Sequence, residues 1–356
     1  MRFRTAAVSR SAALLLSLLT AWPGQTNAFG PDVPERLFTL NHGAMATEWQ
    51  LVVSARDETR AAELAGEVFD EVDRLEDLLS NYRPHSELSR INADAASGPV
   101  TTDPETFAFL EEAQHWSRAS DGAFDITVGP LMKAWGFFRK EGRVPNSAEL
   151  QALHERVGSR KMELQPANRS VLFRVPGVEL DPGGIGKGFA VDAGLRILRA
   201  AGVRSAMLSA GSSTIGTIGP PAGSAAWRVN AHDPWRPGND VTYTLLRDTT
   251  LSTANCAEKN FTLQGHRYCH IMDPRTLRPV ENVQQVTIVD PSATASDALS
   301  NALFVLSPSE SIRLLHSLPN DRALIVTGAE DHRVCTAIRW RQPIAPGFCR
   351  RVVEVE

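Results

Sequence analysis

Residues 178–213, VELDPGGIGKGFAVDAGLRILRAAGVRSAMLSAGSS, carry the reading of the fold. They run strand, glycine loop, helix, strand. The helix puts Ala190, Ala193, Leu195 and Leu198 on one side and ends at Gly202, a residue suited to a left-handed cap. Gly183, Gly184, Gly186 and Gly188 surround Lys187 where the strand hands over to the helix. Such a junction favours an anion: the first amides of a helix point outward, its dipole attracts negative charge, and glycines let a ligand come close. With the charge of Lys187 added, a phosphate or diphosphate is the ligand class. The spacing is neither G-x-x-x-x-G-K-[ST] nor G-x-G-x-x-G, which excludes those two fingerprints. The competing reading is a tight turn that only packs a helix on a sheet.

Working outward, residues 45–55 alternate Trp49, Leu51 and Val53 with polar neighbours, the period of a strand. Residues 59–82 then place Ala61, Leu64, Ala65, Val68, Val72, Leu75 and Leu79 on one helical face, with an acidic face opposite. TTDPETFAFLEEAQHWSRAS (101–120) reads as a second helix that ends near Asp121 and Gly122. WRVNA, VTYTLLR and QVTIV are short and alternating, as antiparallel strands are, and SDALSNALFVL (296–306) is helical with Ala298, Leu299, Ala302 and Leu303 inward. Helices mixed with hairpin-like strands predict an α+β fold rather than a doubly wound parallel sheet.

The bulk numbers bound the function. Residues 1–28 combine a cationic start, a short apolar run and a small-residue TNA site, which describes a cleaved signal peptide and an exported, periplasmic protein. That leaves residues 29–356 as a single domain without repeats or a long linker. Cleavage removes Arg2, Arg4 and Arg10, so the formal charge moves from −4 to −7. No basic stripe supports nucleic-acid binding, and no later apolar run is long enough to span a bilayer. Cys256, Cys269, Cys335 and Cys349 admit three pairings; their spacings match no zinc pattern. Cys335 with Cys349 is preferred, through two strands and a turn near Pro346 and Gly347.

Four further stretches hold chemistry-bearing residues. On a helix Asp297, Ser300 and Asn301 share a face, an oxygen-only set suited to Mg²⁺, although polar residues near a helix start are also caps. His270 and Asp273 flank a Pro-initiated turn, where a histidine either moves a proton or bonds to backbone. In DGAFDITVGPLMKAWGF (121–137), Phe124, Trp135 and Phe137 line a planar ligand or pack a core. Tyr82 stacks on a ring or covers the preceding helix.

Five stretches in this order resemble the ApbE family of FAD:protein FMN transferases: MATEW (45–49), SNYRPHSELSRIN (80–92), DGAFDITVGPL (121–131), LDPGGIGKGFAVD (180–192), and HIMDPRT (270–276) followed by SDALSNAL (296–303). The resemblance covers about Met45 to Leu306. It implies an ApbE-like, T-fold-like two-lobed domain with mainly antiparallel sheets and an FAD cleft between lobes. It also implies transfer of the FMN part of FAD to a Ser/Thr hydroxyl of an exported or membrane redox protein, with Mg²⁺ bound and AMP released. By position, Met45, Tyr82, Ala123, Phe124, Asp125, Asp181, Lys187 and Ile271 resemble FAD contacts. Gly184 (through its carbonyl), Asp297, Ser300 and Asn301 resemble the metal set, and His270 and Asp297 are the catalytic candidates. A FAD pyrophosphatase giving FMN and AMP, or a non-catalytic FAD-binding protein, are the alternatives. Asn301 stands where the family usually has threonine, Leu277 where it has glycine, and STAN (252–255) and AGSS (210–213) replace glycine-richer stretches.

Overall fold

The alternation at Trp49, Leu51 and Val53 becomes the second strand of a nine-stranded sheet, with all three side chains buried. The computed structural model describes residues 35–236, 238–257 and 259–356. The signal peptide read at residues 1–28 lies outside the described residues. In spatial order the sheet runs Arg36–Ala44, Thr47–Ala55, Ala206–Ala210, Thr214–Ile218, Thr250–Asn255, Val283–Asp290, Arg322–Thr327, Val334–Ile338 and Arg351–Val355. Every neighbouring pair is antiparallel except the last. The α+β reading with mainly antiparallel strands therefore holds.

Eight α-helices accompany the sheets among the described residues: α1 (Glu58–Leu79), α2 (Glu87–Asp94), α3 (Pro104–Ala119), α4 (Gly129–Ala134), α5 (Ser147–His154), α6 (Gly186–Ala200), α7 (Ala293–Val305) and α8 (Pro308–His316). None is long and apolar enough to cross a membrane. The predicted inner face of α1 is buried at all seven positions, joined by Phe69. α1, α6 and α7 pack together against one face of the sheet, and their side chains form the main core with Trp49, Leu51 and Val53. On the other face the hairpin Trp227–His232/Asp240–Leu246 adds smaller clusters around Trp227 with Leu251 and Val241 with Leu324. Covered on both sides, the central strand Val283–Asp290 buries residues of both parities, as the interior strand of a layered sheet must.

Two expectations change. The strand read before the glycine loop does not form: that stretch pairs with no strand. Its backbone bonds go to the Asn92 side chain, which both donates to Leu180 O and accepts from Leu180 N, and to Ile126 O, which accepts from Asp181 N. An apolar pattern cannot distinguish a strand from a segment whose hydrogen bonds are met by a side chain. The cysteines pair as Cys256–Cys269 and Cys335–Cys349. The second pair is the preferred one, yet it joins strand Val334–Ile338 to the chain just before Arg351–Val355, and those strands run parallel rather than as a hairpin.

Candidate active site

The glycine loop and the Asp297 helix meet. Gly188, in the first turn of α6, donates its amide to Asp297 Oδ2 at 2.9 Å. A Cβ on Gly188 would collide with the Ala293 carbonyl oxygen and lie 2.8 Å from Asp297 Cβ. Glycine is needed here for the close approach of α6 to α7. One turn earlier, Gly184 sits where an added Cβ would be 3.2 Å from the Phe124 ring and 3.4 Å from Asn301 Nδ2. Asn301 Nδ2 lies 3.3 Å from Gly184 O and 3.0 Å from Asp297 O. Phe124, Gly184, Lys187, Asp297 and Asn301 are thus brought into one place.

A second tie locks the two helices. Asp192 of α6 accepts from Ala293 N and Thr294 N and from the hydroxyls of Ser292 and Thr294, all at 2.7–2.9 Å. A carboxylate at that end satisfies amides the helix cannot and complements its dipole. The cap of α7 is Ser292, so Asp297, Ser300 and Asn301 lie within the helix and are not caps.

Asp297 is 4 % exposed. Burial pushes its carboxyl pKa up, opposed by the Lys187 ammonium, the Gly188 amide and the Thr214 hydroxyl. Beneath it Thr214, Ser252, Ser296 and Thr250 form a buried chain of hydroxyls. Ser300 turns its hydroxyl back to Asp297 O at 2.8 Å, so it faces its own helix.

The amides of the loop are less available than the sequence suggests. Gly183 N donates to Asp181 Oδ1, Gly186 N to Pro182 O and Gly188 N to Asp297. Asp181 makes a side-chain turn over its own loop, which consumes donors that a bare helix end would present. The positive charge at the site is therefore chiefly the half-buried Lys187.

A rim surrounds this joint. The Asp181 carboxyl is raised by burial, offset by the Gly183 amide, the Asn81 side chain and the charges of Lys259 and Lys133. Tyr82 is 64 % exposed and stacks on Phe138, with ring centroids 4.6 Å apart and ring planes nearly parallel. Burial and the nearby Asp181 raise its phenol pKa. Lys133 pairs with Glu179 and lies 5.2 Å from the Phe138 ring, and beside them is a cavity of about 280 Å³ lined by Asn81, Asn92 and Leu180 among others. His270 places Nδ1 2.9 Å from Lys259 O, and its backbone amide donates to the same carbonyl. Because a carbonyl only accepts, Nδ1 carries a proton and Nε2 is the basic nitrogen of the neutral ring.

Other sequence candidates are placed differently. Asp125 is buried, with Oδ1 accepting from Thr127 N and Oγ1 and Oδ2 from Ser159 N and Ser117 Oγ. Its carboxylate is spent inside the fold. Ala123 and Ile271 are buried apolar positions. Met45 occupies the turn between the first two strands with φ 49° and packs on the main core. Phe124 and Trp135 join apolar clusters, so core packing is part of their role. The sequence reading missed Asn81, Asn92, Asp192, Thr214 and Lys259. Of these Asp192 was visible, an isolated acid on the inner side of a glycine-initiated helix.

Among the described residues no cluster of three or more His, Cys, Asp or Glu side chains has metal-holding geometry. The oxygens of Gly184, Asp297 and Asn301 form a different set, with one carboxylate, one carbonyl and one amide. That composition suits a hard cation sharing its remaining positions with phosphate and water. The Asn301 amide must present Oδ1 rather than Nδ2 to take part, a rotation that exchanges two atoms of similar size.

The ApbE family model matches residues 45–326. The chain belongs to the ApbE family. The FAD:protein FMN transferase of Treponema pallidum is 32 % identical over 274 residues, covering 73 % of this chain and 76 % of that protein. The FAD:protein FMN transferase of Escherichia coli K12 is 28 % identical over 277 residues, 76 % and 79 % of the two chains. Among solved structures, the ApbE protein of Thermotoga maritima superposes with a TM-score of 0.76 at 30 % identity, covering 83 % of this chain and 96 % of that one. The apo form of the Pseudomonas stutzeri flavinyl transferase ApbE gives 0.76 at 25 %, covering 86 % and 96 %. Against this ApbE background the Leu277 departure has a measurable consequence: it holds φ 60° and is 2 % exposed, with its carbonyl accepting from Trp135 Nε1 at 3.1 Å.

Proposed function

We propose that this protein is a Mg²⁺-dependent FAD:protein FMN transferase, exported to the periplasm after loss of residues 1–28, with residues 29–356 as one catalytic domain. The observation that carries the reading is the joint at which Gly184 and Lys187 face Asp297 and Asn301. Membership of the ApbE family and the names of its relatives supply the substrate class.

In this reading FAD lies with its diphosphate against Lys187 and its rings toward Tyr82. Gly184 O, Asp297 and Asn301 would hold the metal ion, and the chemistry it would supply is neutralisation of negative charge on phosphate oxygens. Lys187 adds a fixed positive charge to the same oxygens in a partly dry site, where it is worth more than in water. A Ser or Thr hydroxyl of an exported or membrane redox protein attacks the FMN phosphorus. The new P–O bond forms as the bond to the AMP phosphate oxygen breaks, and the hydroxyl proton passes to His270 Nε2. The Lys259 carbonyl keeps that nitrogen basic by holding the proton on Nδ1.

The test is incubation with FAD, Mg²⁺ and a peptide bearing an acceptor threonine, reading fluorescent adduct and free AMP. Adduct with stoichiometric AMP is expected. AMP without adduct replaces transfer by pyrophosphate hydrolysis, and bound FAD with neither product leaves a binding protein. Asp297→Ala should lower turnover by roughly 10²–10³-fold; normal Mg²⁺-dependent turnover in that variant removes Asp297 from the mechanism.

A further inference from the structure

The hairpin Asn260–Leu263/His266–Cys269 stands outside the main sheet, yet it leads directly into His270. Its root is Cys256, at the end of the sheet strand Thr250–Asn255, and the Cys256–Cys269 disulfide closes the loop next to His270. Within that loop lies Lys259, which serves two site residues at once. Its carbonyl receives Nδ1 and the amide of His270, while its ammonium acts on Asp181 of the glycine loop. The hairpin rests by Phe261 and Tyr268 on Phe137 and Trp135. Further ties at its root include hydrogen bonds to Cys256 O, from Asn260 Nδ2 at 2.9 Å and Arg267 Nη2 at 2.6 Å. These are part-buried single contacts, and the disulfide is the covalent tie between the two ends of the paired hairpin.

We infer that the Cys256–Cys269 disulfide is a positioning device for the transfer step, holding the Lys259 carbonyl against the His270 ring, so that thiol reduction slows transfer without releasing FAD. This rests on the reading of His270 as the base. Reduction by a dithiol is balanced: its thiolate attacks one sulfur, its second thiol resolves the mixed disulfide, and the protein gains two thiols as the reagent becomes a cyclic disulfide. The other bridge, Cys335–Cys349, lies at the far edge of the sheet and provides a control for general loss of stability.

The experiment compares the full chain, the Cys256→Ser/Cys269→Ser variant and the Cys335→Ser/Cys349→Ser variant, and adds wild-type protein treated with dithiothreitol and then reoxidised. Transfer to an acceptor peptide is followed alongside FAD affinity by fluorescence quenching. Loss of the first bridge should cut kcat by roughly ten- to a hundredfold, the scale of a misplaced reacting group, with FAD affinity changed less than about threefold. Reoxidation should restore turnover, and loss of the second bridge should not reproduce the pattern. Unchanged kcat in both the first variant and reduced wild type overturns the inference, as does an equal fall of kcat and FAD affinity in both double variants. His270→Ala separates the two levels. If it is inactive while the Cys256→Ser/Cys269→Ser variant is normal, the tether alone fails; if it turns over normally, the base reading fails and takes the tether with it.

Discussion

The inner joint between α6 and α7 and the outer rim around Tyr82 and His270 are built in opposite ways. The joint is fixed from several directions by buried and part-buried groups: Gly188 to Asp297, Asp192 to the start of α7, and Asn301 beside Gly184. The rim depends on an exposed aromatic stack, surface ion pairs and the carbonyl of one loop residue. In the proposed reading, the diphosphate of FAD is assigned to the part of the molecule that cannot shift without disturbing the core. The same reading assigns the flavin ring and the acceptor protein to the part that can.

The most severe way to break this contrast is Gly188→Ala. The new methyl meets backbone at Ala293, which cannot rotate away, so α6 and α7 must separate. Overpacking of this kind costs about 3 kcal/mol, and a thermal melt should show it together with loss of transfer. A melt within a degree of wild type would mean the joint is softer than its geometry.

The base of α7 gives a pH test. Asp290 and Asp321 share a hydrogen bond there, and burial, reinforced by the Asp290 charge, raises the Asp321 carboxyl to about 8, opposed by Arg339. The folded protein therefore holds a proton that the unfolded chain releases near pH 4. This contribution is complete below that value and is lost as pH rises through about 8, at up to about 1.4 kcal/mol per pH unit. Denaturation midpoints should fall across that window. Asp321→Asn should flatten the fall, and an unaltered slope would assign it to other groups.

How far the sequence reached follows the same division. The inner face of α1, the inward residues of α7 and the glycine loop were legible because periodicity and glycine spacing are imposed by packing, and packing governs the joint. The capture of loop amides by Asp181 and Asp297 was not legible, since it depends on which donors an isolated side chain meets in space. Asn92 shows the same limit: its amide substitutes for a partner strand from 88 residues away. Lys259 and Asn81 carry no pattern at all, because rim residues answer to a ligand and not to a repeat. Asp125 shows the other side of that limit, since a motif position does not reveal that its carboxylate caps a turn.

Leu277 sharpens the comparison at the floor of the rim. Its left-handed backbone costs about 1–2 kcal/mol for a residue with a Cβ, while burying its side chain beside Trp135 recovers more. Leu277→Ala keeps the strain and loses the packing, for an expected loss of about 3 kcal/mol. Leu277→Gly loses the packing and relieves the strain, so it should be the milder change by about 1 kcal/mol. If chemical denaturation ranks alanine above glycine, strain at this turn is not what the departure from glycine introduced.

The smallest effect belongs to the most exposed large hydrophobic among the described residues. Tyr82→Ala removes a ring whose stack on Phe138 leaves most of its surface in water. An aromatic contact of this kind contributes about 1 kcal/mol beyond its area, so FAD affinity should weaken about fivefold with kcat at saturating FAD nearly unchanged. Tyr82→Phe should bind FAD as the wild type does, because the ring and not the hydroxyl makes the contact. A large fall in kcat for the alanine variant would mean that the rim takes part in the reacting geometry, and the division between a rigid joint and an adaptable rim would no longer describe the site.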